Sequence, residues 1–221
     1  MKLALKYIAA VVVLALTVSA AAAQKSDRYV VILSMDGFRW DLADKAHTPT
    51  LDSIKRAGSY AEIFPCFPAN TFPNHYSMAT GLHPDHHGII NNTFYDNALD
   101  KYFSIRDRSA VEDPDFWRGE PIWNTAERQG LTANVFFWVG SETAVGGRQA
   151  SVWTKYDGKV PYRQRADWVI DALHRPVDSI PNLIMWYFEE PDGVMHRHGP
   201  GSPEQVAEVE RIDSTLRYFL D

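Results

Sequence analysis

Tyr29-Val30-Val31-Ile32-Leu33-Ser34-Met35 runs straight into Asp36-Gly37. Uncharged throughout and rich in β-branched and apolar side chains, it predicts a strand covered on both faces, as in a parallel sheet. Helical signals alternate with further strand signals downstream. Thr48-Pro49 opens a helix that Gly58 stops, a cap, first-turn proline and terminal glycine in order. Residues 59–64 read as a strand, 71–80 as a helix closed by Gly81, and 121–129 as a helix closed by Gly130. Residues 131–138 follow as strand, 160–174 as helix and 182–188 as a buried strand. Ser202-Pro203-Glu204-Gln205 has the capping-box pattern, and Val206, Val209, Ile212, Leu216 and Phe219 give the next helix an apolar face. The expected class is α/β, a mostly parallel central sheet flanked by helices. Residues 83–117 read as one long loop rich in Asn, Asp and aromatics. The chain ends in or just after a helix with no closing strand, so the domain is expected to be incomplete at its C-terminal end.

With 221 residues, 45% hydrophobic and 23% charged, the chain has the composition of a globular protein with one sizeable core. Residues 1–23 have the form of a signal peptide: Lys2 and Lys6, an apolar run from Ile8 to Thr17, and Ala21-Ala22-Ala23 before Gln24. That predicts a secreted or periplasmic protein, and the run is shorter than the ~20 residues a stable membrane span needs. Cleavage would remove two lysines and no acid, moving the formal charge from −6 to −8. A nucleic-acid-binding face is therefore not expected. An anionic substrate would need a local positive centre, which metal ions can supply. Cys66 is the single cysteine, so no internal disulfide forms, and it is expected to pack as a small apolar residue. Nothing in the pattern bears on oligomeric state.

Open α/β sheets place their sites beyond the carboxyl ends of strands. Asp36 stands there after the first strand and Asp192 after the 182–188 strand. Within Glu189-Glu190-Pro191-Asp192-Gly193-Val194-Met195-His196, a carboxylate and an imidazole four residues apart on a curled loop can clasp a divalent ion. Thr71, in Asn70-Thr71-Phe72-Pro73-Asn74-His75-Tyr76, opens a helix, where unpaired N–H groups and the positive dipole end favour a phosphate or alkoxide. On residue type alone each has a plainer reading: Thr71 as an N-cap, Asp36-Gly37 as a turn, Asp192 and His196 as surface residues. The other histidines, His75, His83, His86, His87 and His198, read as packing and capping groups, and Trp186 and Tyr187 as strand core.

Taken together, Met35-Asp36-Gly37-Phe38-Arg39, Pro68 to Tyr76, Gly81-Leu82-His83-Pro84 with Gly88-Ile89-Ile90-Asn91-Asn92, and Glu189 to Pro200 closely resemble the nucleotide pyrophosphatase/phosphodiesterases of the alkaline phosphatase superfamily. Order and spacing agree from about Tyr29 onward. The resemblance implies an alkaline-phosphatase-like core, with residues 24–221 as the N-terminal part of a phosphodiesterase catalytic domain. It also implies a site with two Zn2+ per complete domain. Asp36 and Thr71 match the ligands of one zinc, Thr71 being also the nucleophile, while Asp192 and His196 match ligands of the other. Asn92 matches the residue that binds a non-bridging phosphate oxygen, and Phe72 and Tyr156 match aromatics that sandwich a nucleobase. The implied reaction is attack by Thr71 on phosphorus, giving a nucleotidyl-threonine that water hydrolyses. Small nucleotides are the implied substrates; other phosphodiesters, such as phosphocholine lipids, remain open.

The chain departs from the family in one respect. A later Asp-His-Gly and one further histidine, which complete the two metal sites, do not occur before Asp221. Each zinc is left with two protein ligands where a tight site has three or four. A truncated remnant without activity is therefore the competing expectation.

Overall fold

The computed structural model describes residues 28–221. The signal-peptide assignment for 1–23 lies outside the described residues. Strand β1 (Val30–Met35) is followed by helices α1 (Pro49–Ala57), α2 (Thr71–Thr80) and α3 (Pro84–His87). A hairpin of β2 (Thr93–Asp96) and β3 (Lys101–Ser104) leads to α4 (Arg108–Val111) and α5 (Ile122–Arg128). Then come β4 (Ala133–Phe136), β5 (Val152–Thr154), α6 (Tyr162–Leu173), β6 (Leu183–Phe188), α7 (Asp192–His198) and α8 (Pro203–Leu220). The main sheet is four-stranded in the order β1-β6-β4-β5 with every pairing parallel.

Strand β6 lies inside this sheet and is buried along its whole length. Its side chains alternate between two cores, as the two-residue period of a strand requires. Leu183 and Met185 join Tyr76, Phe103, Trp117, Trp123 and Val135 on one face. Ile184, Trp186 and Phe188 join Tyr162, Val169, Ile212 and Leu216 on the other. Helices α2 and α5 cover the first face, and α1, α6 and α8 the second. The amphipathic face expected in α8 is the buried one: Val209, Ile212 and Leu216 are in the core, with Val206 and Phe219 half-buried at its margin.

Several expectations change. Residues 59–64 form no strand; the segment pairs with no strand among the described residues, and Ile63 and Phe64 are 79% and 93% exposed. A segment of strand-like composition becomes a strand only where a neighbour completes its hydrogen bonds. Strand β1 is not covered on both faces along its length: as the edge next to β6 it leaves Val30 and Val31 exposed. The 131–138 strand shrinks to β4 because Phe137 adopts a φ of 65° and turns the chain out of the sheet. The 83–117 segment is not a loop but holds α3, the hairpin and α4.

Capping also differs. Thr48 does not cap α1; its hydroxyl donates to the Ala43 carbonyl, and the buried Asp213 of α8 takes the Thr50 and Leu51 N–H groups at 3.2 and 2.8 Å. A carboxylate is well placed at a helix start, so α1 is capped from another helix. Ser202 does cap α8 through the Gln205 N–H, but Gln205 reaches back to the N–H of Gly201 at 2.7 Å instead of closing the box on Ser202. Cys66 is half-buried among polar partners, its Sγ 3.3 Å from both Asn74 Oδ1 and Ser77 Oγ.

Candidate functional site

Parallel pairing in register, Met35 opposite Phe188, brings the carboxyl ends of β1 and β6 side by side. The chain leaves both strands at the same level. Asp36 donates its N–H to the Phe188 carbonyl at 2.9 Å, and Asp192 donates its own to the Asp36 carbonyl at 3.1 Å. Gly37 completes the seam with a φ of +65°, and a Cβ there would lie 2.8 Å from both Cα and Cβ of Asp192. Only glycine fits such a backbone approach. Two acidic side chains thus meet at one edge of the sheet, as strand-end logic anticipated.

Thr71 is the first residue of α2, and its hydroxyl donates to Asp36 Oδ2 at 2.8 Å. It does not cap the helix. The same Asp36 oxygen accepts the Tyr187 hydroxyl at 2.9 Å. Tyr187 is buried, as a core residue should be, yet its polar end belongs to the site, a role the sequence reading missed. The signal was its register: Tyr187 stands opposite Ser34, two residues before Asp36, at the carboxyl end of a central strand. Burial first and the Asp36 carboxylate second push the Tyr187 phenol well above its ordinary range, so it stays a donor.

Asn92 sits just before β2, its carbonyl accepting the Ile105 N–H at 3.0 Å. Its Oδ1 accepts the Phe72 N–H at 3.0 Å, so the start of α2 is less open than the helix-terminus reading implied. Asn70 and Asn91 brace the same corner, Asn70 Nδ2 donating to Asn91 Oδ1 at 2.6 Å. Phe72 is half-buried against Phe103 and Trp117, with ring centroids at 6.0 and 6.1 Å. Tyr156 is 36% exposed and packs edge-on to Phe137 and Tyr187. No ring contact joins Phe72 to Tyr156.

Asp192 and His196 lie on α7, a short helix where a curled loop was expected. Gly193 and the brevity of the element hid it. His196 Nε2 stands 3.4 Å from Asp192 Oδ2, and its side chain is 73% exposed. The helix is set by Glu190, whose carboxylate takes the Val194 N–H at 2.6 Å and the Arg197 guanidinium at 3.0 Å. Glu189 is held by the buried Arg165, which also donates to the Tyr187 carbonyl at 3.0 Å. Burial, then the neighbouring Asp36 charge, pushes the Asp192 carboxyl above its ordinary value. Neither Asp36 nor Asp192 is ion-paired with a lysine or arginine among the described residues. Two adjacent carboxylates without a lysine or arginine partner, with a hydroxyl and an imidazole beside them, are donors suited to a divalent cation. They come as two pairs. Among the described residues no three His, Cys, Asp or Glu side chains gather at one point.

Of the other histidines expected to pack or cap, His75 and His87 are buried, whereas His83, His86 and His198 are exposed and the His83 side chain caps no helix. His87 is buried, its Nε2 2.9 Å from Ser77 Oγ, and burial pulls its pKa down to about 4. His198 lies 3.8 Å from Glu204 on the surface. His75 is more closely tied to the site, at 2.8 Å from the Thr71 carbonyl and 2.9 Å from Ser34 Oγ.

The model of the type I phosphodiesterase / nucleotide pyrophosphatase family matches residues 30–221. The chain belongs to this family. Human ectonucleotide pyrophosphatase/phosphodiesterase family member 1 is 38% identical to it over 197 residues, covering 86% of the chain and 21% of the relative. Venom phosphodiesterase CdcPDE of Crotalus durissus collilineatus is 37% identical, over 87% of the chain and 23% of the relative. Among solved structures, murine ectonucleotide pyrophosphatase/phosphodiesterase 5 superposes with a TM-score of 0.82 at 31% identity, over 87% of the chain and 52% of that protein. The same murine protein is known as an inactive threonine-to-alanine variant in complex with AMP. This member of the phosphodiesterase family therefore has the fold its motifs implied and spans about half of the solved relative. No helix among the described residues is long and apolar enough to cross a membrane.

Proposed function

We propose that the chain carries the nucleophile-bearing part of an exported, zinc-dependent phosphodiesterase that cleaves nucleotide phosphodiester or pyrophosphate bonds. The observation that carries this reading is the 2.8 Å bond from Thr71 Oγ1 to Asp36 Oδ2 at the first residue of α2. Asp36 and Thr71 would hold one zinc, and Asp192 and His196 the other. Zinc bound there supplies Lewis-acid activation of a hydroxyl that is a weak nucleophile on its own.

The chain's own residues do the rest. Asp36 takes the Thr71 hydrogen bond and so turns an oxygen lone pair away from the carboxylate. Thr71 Oγ1 attacks phosphorus and loses its proton to solvent, the bond to the alcohol or phosphate leaving group breaks with its electron pair, and a nucleotidyl-threonine forms. Water then attacks the same phosphorus, the bond to Thr71 Oγ1 breaks, and protonation of that oxygen restores the hydroxyl as the nucleoside monophosphate leaves. With Asn92 Oδ1 engaged by the Phe72 N–H, its Nδ2 is the group offered to a non-bridging oxygen, where charge builds. Phe72 and the partly exposed Tyr156 would flank the base. Support comes from the murine relative, where a threonine change accompanies inactivity and AMP is bound. Export is supported by residues 1–23 and by relatives described as ecto-enzymes and venom proteins.

Hydrolysis of a nitrophenyl ester of thymidine monophosphate tests the assignment. Thr71→Ala should lower turnover by at least ~10³-fold, about 4 kcal/mol of barrier. Undiminished turnover in that variant refutes the nucleophile, and preference for nitrophenyl-phosphocholine refutes the substrate class. A second reading, a chain that holds no metal, is favoured by the pairwise donor sets. Zinc analysis of the purified protein separates the two: near two zincs per chain supports the first, none the second.

A further inference from the structure

We propose that His75 is a positioning residue for Thr71, linking the end of β1 to the first turn of α2 and so fixing the Thr71–Asp36 pair. This rests on Thr71 being the nucleophile as proposed above. His75 Nδ1 lies 2.8 Å from the Thr71 carbonyl oxygen and Nε2 lies 2.9 Å from Ser34 Oγ. A carbonyl oxygen only accepts, so Nδ1 carries the hydrogen, and the Ser34 hydroxyl donates to the bare Nε2. The ring is fixed in orientation as well. It stands edge-on to Tyr187 at 5.0 Å and 90° and to Trp138 at 5.6 Å and 71°, and the Trp138 indole N–H donates to the His75 carbonyl at 3.0 Å. Only 4% of the residue is exposed.

The connectivity separates this histidine from an ordinary buried one. Ser34 is two residues before Asp36, and His75 is one helical turn after Thr71. Ser34 to His75, His75 to Thr71, and Thr71 to Asp36 therefore close a ring that spans strand end and helix start. Without the imidazole, the side-chain hydrogen bond left among the described residues between the start of α2 and the end of β1 is that of the Thr71 hydroxyl, the group that has to react. A misplacement of about 1 Å costs on the order of 10²-fold in rate. The imidazole touches no reacting atom, and its effect passes through the placement of Thr71.

Three variants and one spectrum test this on the zinc-loaded protein. His75→Phe keeps an aromatic edge for Tyr187 and Trp138 but removes both hydrogen bonds, and should lower kcat by about 30–100-fold with KM within about threefold. Ser34→Ala, a milder change, should lower kcat by about five- to tenfold, and the double variant should be no worse than His75→Phe, because the two act as one unit. Equal kcat in the single variants, or independent multiplication in the double, overturns the proposal. Nitrogen-15 spectra of the imidazole give a readout that needs no turnover: a hydrogen on Nδ1 is expected, and one on Nε2 overturns the assignment. Thr71→Ala is assayed alongside. Should it retain turnover, the nucleophile reading fails and the brace is judged by the spectrum alone. Should it be inactive while the His75 and Ser34 variants are unaffected, only the brace fails.

Discussion

Asp36 and Thr71 sit 2.8 Å apart among half-buried and buried groups, whereas His196 faces Asp192 at 3.4 Å with 73% of its side chain in solvent. The first pair is held from three sides: by Tyr187 on the Asp36 oxygen, by His75 on the Thr71 carbonyl, and by Asn92 on the Phe72 N–H next to it. The second pair is held mainly through backbone, by the Glu190 cap on α7 and the Asp192 N–H on Asp36. One half of the site has its geometry built in by the fold, and the other offers donors whose spacing a bound cation would set. Preorganised groups need no reorganisation when charge develops, which suits a nucleophile, whereas an open imidazole suits a ligand that must come and go.

The two halves join at Gly37, so the largest effect is expected there. Gly37→Ala puts a Cβ 2.8 Å from the Asp192 backbone at a φ of +65°. The added strain should cost about 2–4 kcal/mol in denaturant unfolding and separate the acidic pair. Turnover should fall further than stability accounts for. A variant that unfolds at the wild-type midpoint with wild-type turnover would mean that the seam is not what joins the halves.

How far the sequence could be read follows the same division. The strands that lead to Asp36 and Asp192 and the helix that begins at Thr71 were legible because each has a local signal: the run before Asp36, Gly81 closing α2, and the buried run before Glu189. The site residues themselves came from motifs in register, which locate a position without showing its contacts. Tyr187 was legible only as strand core and His75 only as a packing or capping group, because their second role lies in contacts across 151 and 41 residues of chain. Helix α7 and strand β5 were too short to leave a periodic trace. Residues 59–64 failed in the other direction, having a strand's pattern without a strand's neighbour.

A smaller effect should come from Tyr187→Phe. The change removes one donor from Asp36 Oδ2 and leaves the ring packed against His75 and Tyr156. Loss of a hydrogen bond to a charged acceptor costs about 1.5–3 kcal/mol when the acceptor is left bare, and about 1 kcal/mol when another donor stays, as Thr71 does. Unfolding should therefore shift by about 1 kcal/mol. If the first pair is braced by its neighbours as described, kcat should fall by about tenfold while KM holds. A stability loss with unchanged kcat would reduce Tyr187 to packing and weaken the contrast between the halves.

The least effect on the fold should follow His196→Ala. A side chain this exposed, 3.4 Å from a single carboxylate, contributes little in water, so unfolding should move by no more than about 0.5 kcal/mol. Metal binding should respond differently. If Asp192 and His196 hold a zinc as proposed, loss of the imidazole should lower zinc affinity by at least ~10-fold, read by competition with a chromophoric chelator. The first pair should keep its geometry, since no bond to Thr71, Tyr187 or His75 passes through His196. A large stability loss in this variant would show that α7 depends on its histidine for folding, and the two halves would then differ in exposure but not in how they are held.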